Sequence, residues 1–113
     1  MDFERLDVWR RSRQLTVRIY KELSGCHDWG FRDQVTRSAL SMPSNIAEGM
    51  ERASVKEKCQ FLRIAKGSYA ELRTQLLIGC DIGYISGPLA EELIQETREL
   101  SRMLSGLINR ISG

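Results

Sequence analysis

The sequence predicts an all-α fold, an antiparallel up-down-up-down four-helix bundle with a proline-kinked second helix, and three observations predict it. Apolar residues recur at three- and four-residue intervals in four successive segments, the spacing that gathers side chains on one face of a helix. Leucine, arginine, glutamate and isoleucine dominate, and only 2 prolines occur among 113 residues, a vocabulary of helices rather than of sheets with tight turns. Turn and cap residues, Ser24-Gly25, Ser54 and Gly83 through Pro88, fall between the periodic segments. Short connections then force consecutive helices to be antiparallel neighbours.

The first segment runs from about Glu4 to Leu23, with Trp9, Ser12, Thr16, Ile19, Tyr20 and Leu23 on its apolar face. The turn formers of CHDWG follow, and a second helix begins near Phe31 or Arg32. Its seam, Val35, Ala39, Met42, Ile46 and Gly49, continues without a phase break through Pro43. That continuity favours one kinked helix over two short ones. Proline removes a backbone donor and crowds the carbonyl of Ala39, so Ser41, Ser44 and Asn45 are candidates to re-satisfy the freed groups.

Ser54 and Glu57 form a capping box that starts the third helix. Its core rows are Leu62, Tyr69, Leu76 and Ala65, Leu72, Gly79, supplemented by Phe61, Ser68 and Cys80. Pro88 suits the first turn of a fourth helix, which Glu91 and Glu92 also favour. The seam there is Leu93, Thr97, Leu100, Leu104, Leu107 and Ile111. Ile64, Leu77, Ile78, Ile94, Met103 and Ile108 lie off these rows, which reads either as a generous core or as a second, protein-docking interface.

Length and balance point to a single domain over residues 1–113, since 113 residues suffice for one core and not for two. Apolar residues make up 42% and charged residues 28%, enough to bury a core and keep a solvated surface. Three cysteines, Cys26, Cys59 and Cys80, are widely spaced and read as reduced thiols, with Cys80 in the core. The N-terminal segment alternates charged and apolar residues, and no apolar run approaches membrane-spanning length. The expectation is a cytoplasmic protein with no membrane association.

The segment FRDQVTRSALSMPSNIAEG resembles the four-helix bundle proteins of bacterial 23S ribosomal RNA intervening sequences. The resemblance extends through FERLDVWRRSRQLTVRIY, FLRIAKGSYAELRTQL and IGYI, and so covers nearly the whole chain. It implies a bundle that assembles into a homo-oligomeric ring, typically a pentamer, similar to the accessory variability protein of diversity-generating retroelements. It also implies, by analogy with those retroelement proteins, a reverse-transcriptase or other protein partner and nucleic acid. The chain departs from the family pattern at CHDWG, where a proline-containing loop is common, and in Val35 and Thr36, whereas Asp33, Gln34 and Arg37 are intact.

A formal net charge of +2 does not announce a nucleic-acid binder, so the placement of charge decides. Arg10, Arg11, Arg13, Arg18 and Lys21 occupy a stretch free of carboxylates and project away from the Trp9 face. Arg10, Arg11, Arg18 and Lys21 are the candidate nucleic-acid-binding residues, with solubility or subunit pairing as the alternative role. Lys56, Lys58, Arg63, Lys66 and Arg73 form a second basic set, while Glu91, Glu92, Glu96 and Glu99 make the start of the fourth helix acidic. Aromatic residues Trp9 and Tyr69 read as core anchors ahead of base-stacking platforms.

Catalytic chemistry finds little support. Asp33, Arg37, Asn45 and Glu48 cluster in the strongest motif, but the sole histidine, His27, lies in a loop and no nucleophile is paired with a base. Cys26, His27 and Asp28 are three adjacent ligand types, a poor basis for a tetrahedral metal site. The expectation is a non-enzymatic scaffold without cofactor or metal that binds RNA or DNA. Its alternative is a protein-interaction module that docks a partner enzyme through apolar surface on the third and fourth helices, with Ile94 and Ile108 as anchors.

Overall fold

A computed structural model describes residues 2–113. After a 3-10 turn at Phe3–Arg5 come four helices, α1 (Asp7–Glu22), α2 (Trp29–Met50), α3 (Val55–Asp81) and α4 (Gly87–Ser112), and no strand is found among the described residues. The molecule measures 43 × 21 × 20 Å, and 27 residues of α3 at about 1.5 Å each nearly fill the long axis. Pairing between neighbours fixes the register. Ser38, Ser41 and Gln34 of α2 meet Glu71, Ser68 and Gln75 of α3, so one chain runs up as the other runs down. Arg11 and Arg18 of α1 meet Glu96 and Glu92 of α4 in the same reversed order.

The apolar seams meet in one cluster. Val35, Ala39, Met42 and Ile46 of α2, Leu62, Ala65, Tyr69, Leu72 and Leu76 of α3, and Leu100 and Leu104 of α4 are all fully shielded from solvent. Each such aliphatic side chain contributes roughly 1.5–3 kcal/mol on burial. Of the α1 seam read from the sequence, Ser12, Thr16, Ile19 and Leu23 are buried, and Val8 and Leu15 join them in place of Trp9 and Tyr20. Trp9 is half-buried against Phe3, and Tyr20 is 46% exposed, because a step of one residue turns a side chain about 100° off the buried line.

Three further expectations are corrected by the packing. Ile94 and Ile108 are buried, at 6% and 8% exposure, so they belong to the core and not to a docking surface. Cys59, not Cys80, is the buried thiol. Helix α2 begins at Trp29, two to three residues before the expected start, because Asp28 accepts a hydrogen bond from the Phe31 amide and caps the helix there. The capping box at α3 forms in altered shape: Ser54 accepts from the Glu57 amide, and its hydroxyl donates to the Glu57 carboxylate.

Helix α2 passes through Pro43 without interruption. The carbonyl that proline deprives of its helical donor, Ala39 O, is served from another helix, by the Thr16 hydroxyl of α1 at 2.8 Å. That hydroxyl lies equally close to Ser12 O, but Ser12 O has a helical amide of its own, so the single proton is needed at Ala39. Asn45, expected to serve the freed backbone, instead donates to the carbonyl and hydroxyl of Ser41, both at 2.8 Å. Ser41 in turn pairs with Ser68 across the α2–α3 seam.

The pairing of Thr16 with Ala39 yields a test. Thr16→Val keeps the shape and removes the donor, and is expected to cost about 1–3 kcal/mol by leaving a buried carbonyl unpaired. Combined with Pro43→Ala, which returns a backbone amide to Ala39, the same change should cost under about 1 kcal/mol. Urea unfolding of the four members of this cycle measures the difference. Equal costs in both backgrounds would show that the hydroxyl serves something else.

Candidate nucleic-acid interface

Helix α1 carries the candidate residues because its buried face, Val8 through Ile19, leaves every arginine and lysine on the remaining surface. Arg11 and Arg18 are seven residues apart and so share one side, the side that faces α4. Arg11 holds Glu96 through two nitrogens, Nη2 at 2.6 Å and Nε at 3.2 Å, and reaches Glu99 at 3.0 Å and the Met103 sulfur at 3.4 Å. Arg18 grips both oxygens of Glu92 at 2.8 and 2.9 Å, with Glu22 a further 3.9 Å contact. These two arginines clasp α1 to α4.

Arg10 and Lys21 lie elsewhere on the helix. Together with Gln14 and Val17 they follow the i, i+4, i+7, i+11 spacing of an outward ridge, and all four are exposed. Arg10 donates from Nε to the Glu4 carbonyl at 2.9 Å and sits 3.7 Å from Asp7. Among the described residues no carboxylate lies within 4.0 Å of Lys21. Arg13 stacks over the Trp9 ring, 5.6 Å from its centre, and an open hollow beside that ring is lined by Arg10, Arg13, Gln14 and Val17. The sequence-predicted set is therefore divided by the fold into a clasp, Arg11 and Arg18, and a ridge, Arg10 and Lys21.

The electrostatics follow the contacts. Hydrogen bonding to Arg18, and then its charge, holds the Glu92 carboxyl below the usual range, and Arg11 does the same to Glu99. The Arg11 guanidinium is raised by hydrogen bonds to Glu96 and Glu99. Behind it, Ser12 and the Tyr69 hydroxyl share a buried hydrogen bond of 2.6 Å, and burial pushes the Tyr69 phenol up to about 12. Tyr69 is thus a core residue with a satisfied hydroxyl.

Of the motif residues weighed for catalysis, Asn45 is bonded to Ser41 and Glu48 pairs with Arg52 four residues on, so both serve the helix they stand on. Asp28 accepts from Phe31 N at 3.1 Å and from the Tyr84 hydroxyl at 2.9 Å, tying the first connection to the third. Those two donors, in that order, hold its carboxyl low. Among the described residues no group of three or more His, Cys, Asp or Glu side chains is placed to hold a metal ion. No helix among them is long and apolar enough to cross a membrane.

Sequence reading noticed the acidic start of α4 and missed that α1 is its partner. A signal existed: Arg11 and Arg18 are seven residues apart, as are Glu92 and Glu99, which is what two antiparallel helices need to pair twice.

A family model described as 23S rRNA-intervening sequence protein matches residues 4–106. The fold is similar to the crystal structure of a protein of unknown function from the S23 ribosomal protein family of Bacteroides thetaiotaomicron VPI-5482. That likeness has a TM-score of 0.84 and 26% sequence identity, covering 89% of this chain and 97% of the other. No curated protein matches the chain.

The clasp makes a pH prediction. Glu92 and Glu99 have folded values below their unfolded ones, so their contribution is present above the unfolded carboxylate range near 4.3 and is lost as pH falls through the folded values. Arg18→Gln should return the Glu92 titration upward to the ordinary range while Glu99 stays low. Carbon-detected NMR titration of the glutamate carboxyls reads both, and a Glu92 midpoint unmoved by the substitution would show that Arg18 does not hold it in solution.

Proposed function

The chain belongs to the 23S rRNA-intervening sequence protein family, and from that premise we propose that it is a non-enzymatic, homo-oligomeric bundle scaffold that contacts nucleic acid through a basic surface. The observation that carries the reading is the outward ridge of α1, where Arg10 and Lys21 stand exposed with Arg13 alongside. The Lys21 ammonium can meet phosphate oxygens at no loss of a carboxylate within 4.0 Å, and the Arg10 guanidinium gives up only its exposed 3.7 Å contact with Asp7. Arg11 and Arg18 act one step back, fixing the ridge by their grip on α4. In an oligomer the ridge recurs once per subunit, so the summed potential exceeds what a net charge of +2 supplies.

Self-association is supported by apolar side chains that the single chain leaves half in water. Val17 and Tyr20 on α1 are each 46% exposed and Leu40 on α2 is 50% exposed. A second reading, a module that docks a protein partner, is favoured by Ile64, Leu77 and Ile78 of α3, each 49% exposed, and no longer by Ile94 or Ile108.

Purified without nuclease, the protein should scatter light as a species of about five times 13.0 kDa and retain nucleic acid. Binding should weaken linearly in log–log salt plots, and Arg10→Gln with Lys21→Gln should reduce the slope by about 1.8, at roughly 0.9 per phosphate contact. Salt-indifferent binding, or none, removes the nucleic-acid reading. Capture of a protein partner that Ile64→Lys and Ile78→Lys abolish, without any nucleic-acid retention, would establish the second.

A further inference from the structure

The outer side of the α3–α4 pair carries six cations and none of the carboxylates that neutralise cations elsewhere. On α3, the side facing α2 is fixed by Ser68, Glu71 and Gln75, which contact Ser41, Ser38 and Gln34. At about 100° per residue, Lys56, Arg63, Lys66 and Arg73 fall on the opposite flank, toward α4. On α4, the side facing α1 is fixed by Glu92, Glu96 and Glu99. Arg98 and Arg102 fall on the flank toward α3. Five of the six are exposed, Arg73 is half-buried, and among the described residues none has a carboxylate within 4.0 Å.

The carboxylates of both helices are spent elsewhere. Glu57 is bonded to Ser54 and Glu71 to Ser38, while Glu92, Glu96 and Glu99 answer the α1 arginines, Arg102 reaching Glu99 only as a charge, after Arg11. Asp81 and Glu91 remain, both at the end where α3 hands over to α4. Like charges also stand at repelling intervals, Arg63 with Lys66 at i+3 and Arg98 with Arg102 at i+4. A face that serves solubility alone interleaves the two signs. This one separates them at a cost to the helix, and an anion that lies along it would reverse that cost.

Three features choose the anion. Four of the six are arginines, whose planar forks match phosphate bidentately. No aromatic side chain belongs to the flank: of the exposed aromatics, Tyr20 is on α1, Trp29 opens α2 and Tyr84 lies in the α3–α4 connection, bonded to Asp28, so the two helices offer splayed bases no stacking surface there. From Lys56 to Arg73 the row extends about 25 Å at 1.5 Å per residue, roughly seven base-pair steps of a duplex. We infer that the α3–α4 flank is a sequence-tolerant site for the phosphate backbone of double-stranded nucleic acid, with Arg63, Arg98 and Arg102 at its centre. It rests on the nucleic-acid reading above and adds to it a face that the α1 ridge does not include.

The test measures fluorescence anisotropy of the full chain with labelled 20-base-pair duplexes of unrelated sequence, RNA and DNA, across a salt series. Arg63→Gln, Arg98→Gln and Arg102→Gln combined should lower the log–log slope by about 2.7 and weaken low-salt binding about tenfold or more. All three positions are on the surface, and circular dichroism should show unchanged helix content. Duplexes of different sequence should bind alike, and the matching single strands more weakly. Wild-type binding that the triple variant leaves untouched while the α1 pair reduces it overturns this face and spares the general reading. Wild type that retains no duplex overturns both, and equal affinity for polyglutamate overturns the choice of nucleic acid.

Discussion

The closeness of α2 to α3 is the constraint from which the rest of the bundle follows. A side chain at Gly49 would stand 3.0 Å from the Phe61 Cβ and 3.1 Å from the Lys58 carbonyl, so glycine lets the two backbones come this close, and a Cβ there would push them apart by a few tenths of an ångström. Further along the seam the contacts are small and polar: Ser41 with Ser68, Ser38 with Glu71, Gln75 with the Gln34 carbonyl. Small residues permit the approach, and hydrogen bonds between them fix the register, because a shift of one position would leave each hydroxyl facing an apolar neighbour. With that pair locked, Val35, Ala39, Met42 and Ile46 form one wall and Leu62, Tyr69, Leu72 and Leu76 another, against which the outer helices settle. Helix α1 is the least enclosed by its neighbour α4, and there arginine–glutamate pairs replace apolar contact.

Most of this was legible in the residues where a buried line stays in phase. The seams of α2, α3 and α4 read correctly because aliphatic side chains stand on the buried line itself and no large aromatic beside it competes for the centre. In α1 the stripe is narrower, and large aromatic residues at Trp9 and Tyr20 pull the apparent centre away from Val8 and Leu15, which are smaller but lie on the buried line. For Ile94 and Ile108 the sequence leaves core and docking surface as alternatives for the converse reason, since an ideal heptad row omits positions that a broad interface still covers. The pairing of Thr16 with Ala39 had no local signature. Proline announces that a carbonyl needs a donor, and says nothing of which distant helix brings it.

The candidate site was legible in part for a related reason. Charge counted along one helix gives its sign but not its partner, and whether a cation is available depends on the helix beside it. Arg11, Arg18, Arg10 and Lys21 look equivalent in one dimension, yet the fold commits the first two to Glu96, Glu99 and Glu92 and leaves the others on a ridge. Exposed pairs of this kind are individually worth only about 0–1 kcal/mol. Their effect here lies in alignment, since Arg11 and Arg18 on one helix and Glu92 and Glu99 on the other, each pair seven residues apart with Glu96 between the glutamates, set how α1 slides against α4.

Helix α4 separates two causes that a charge tally would merge. Its carboxylates, Glu91, Glu92, Glu96 and Glu99, precede most of its cations, Arg98, Arg102 and Arg110, an order that complements the helix dipole. The dipole acts along the axis and is indifferent to which side of the helix a charge occupies. It therefore accounts for the order and not for the lateral division, in which Glu92, Glu96 and Glu99 turn to α1 while Arg98 and Arg102 turn to α3. The acidic side has its explanation in the clasp. On the basic side α3 presents Arg63, Lys66 and Arg73, with Asp81 as its one carboxylate on that side, at the far end of the helix, so neither axial nor interhelical pairing along the row explains the arrangement. Within the chain this lateral segregation of charge meets only the Arg102 charge acting on Glu99, and it is the feature on which the proposed phosphate contact rests.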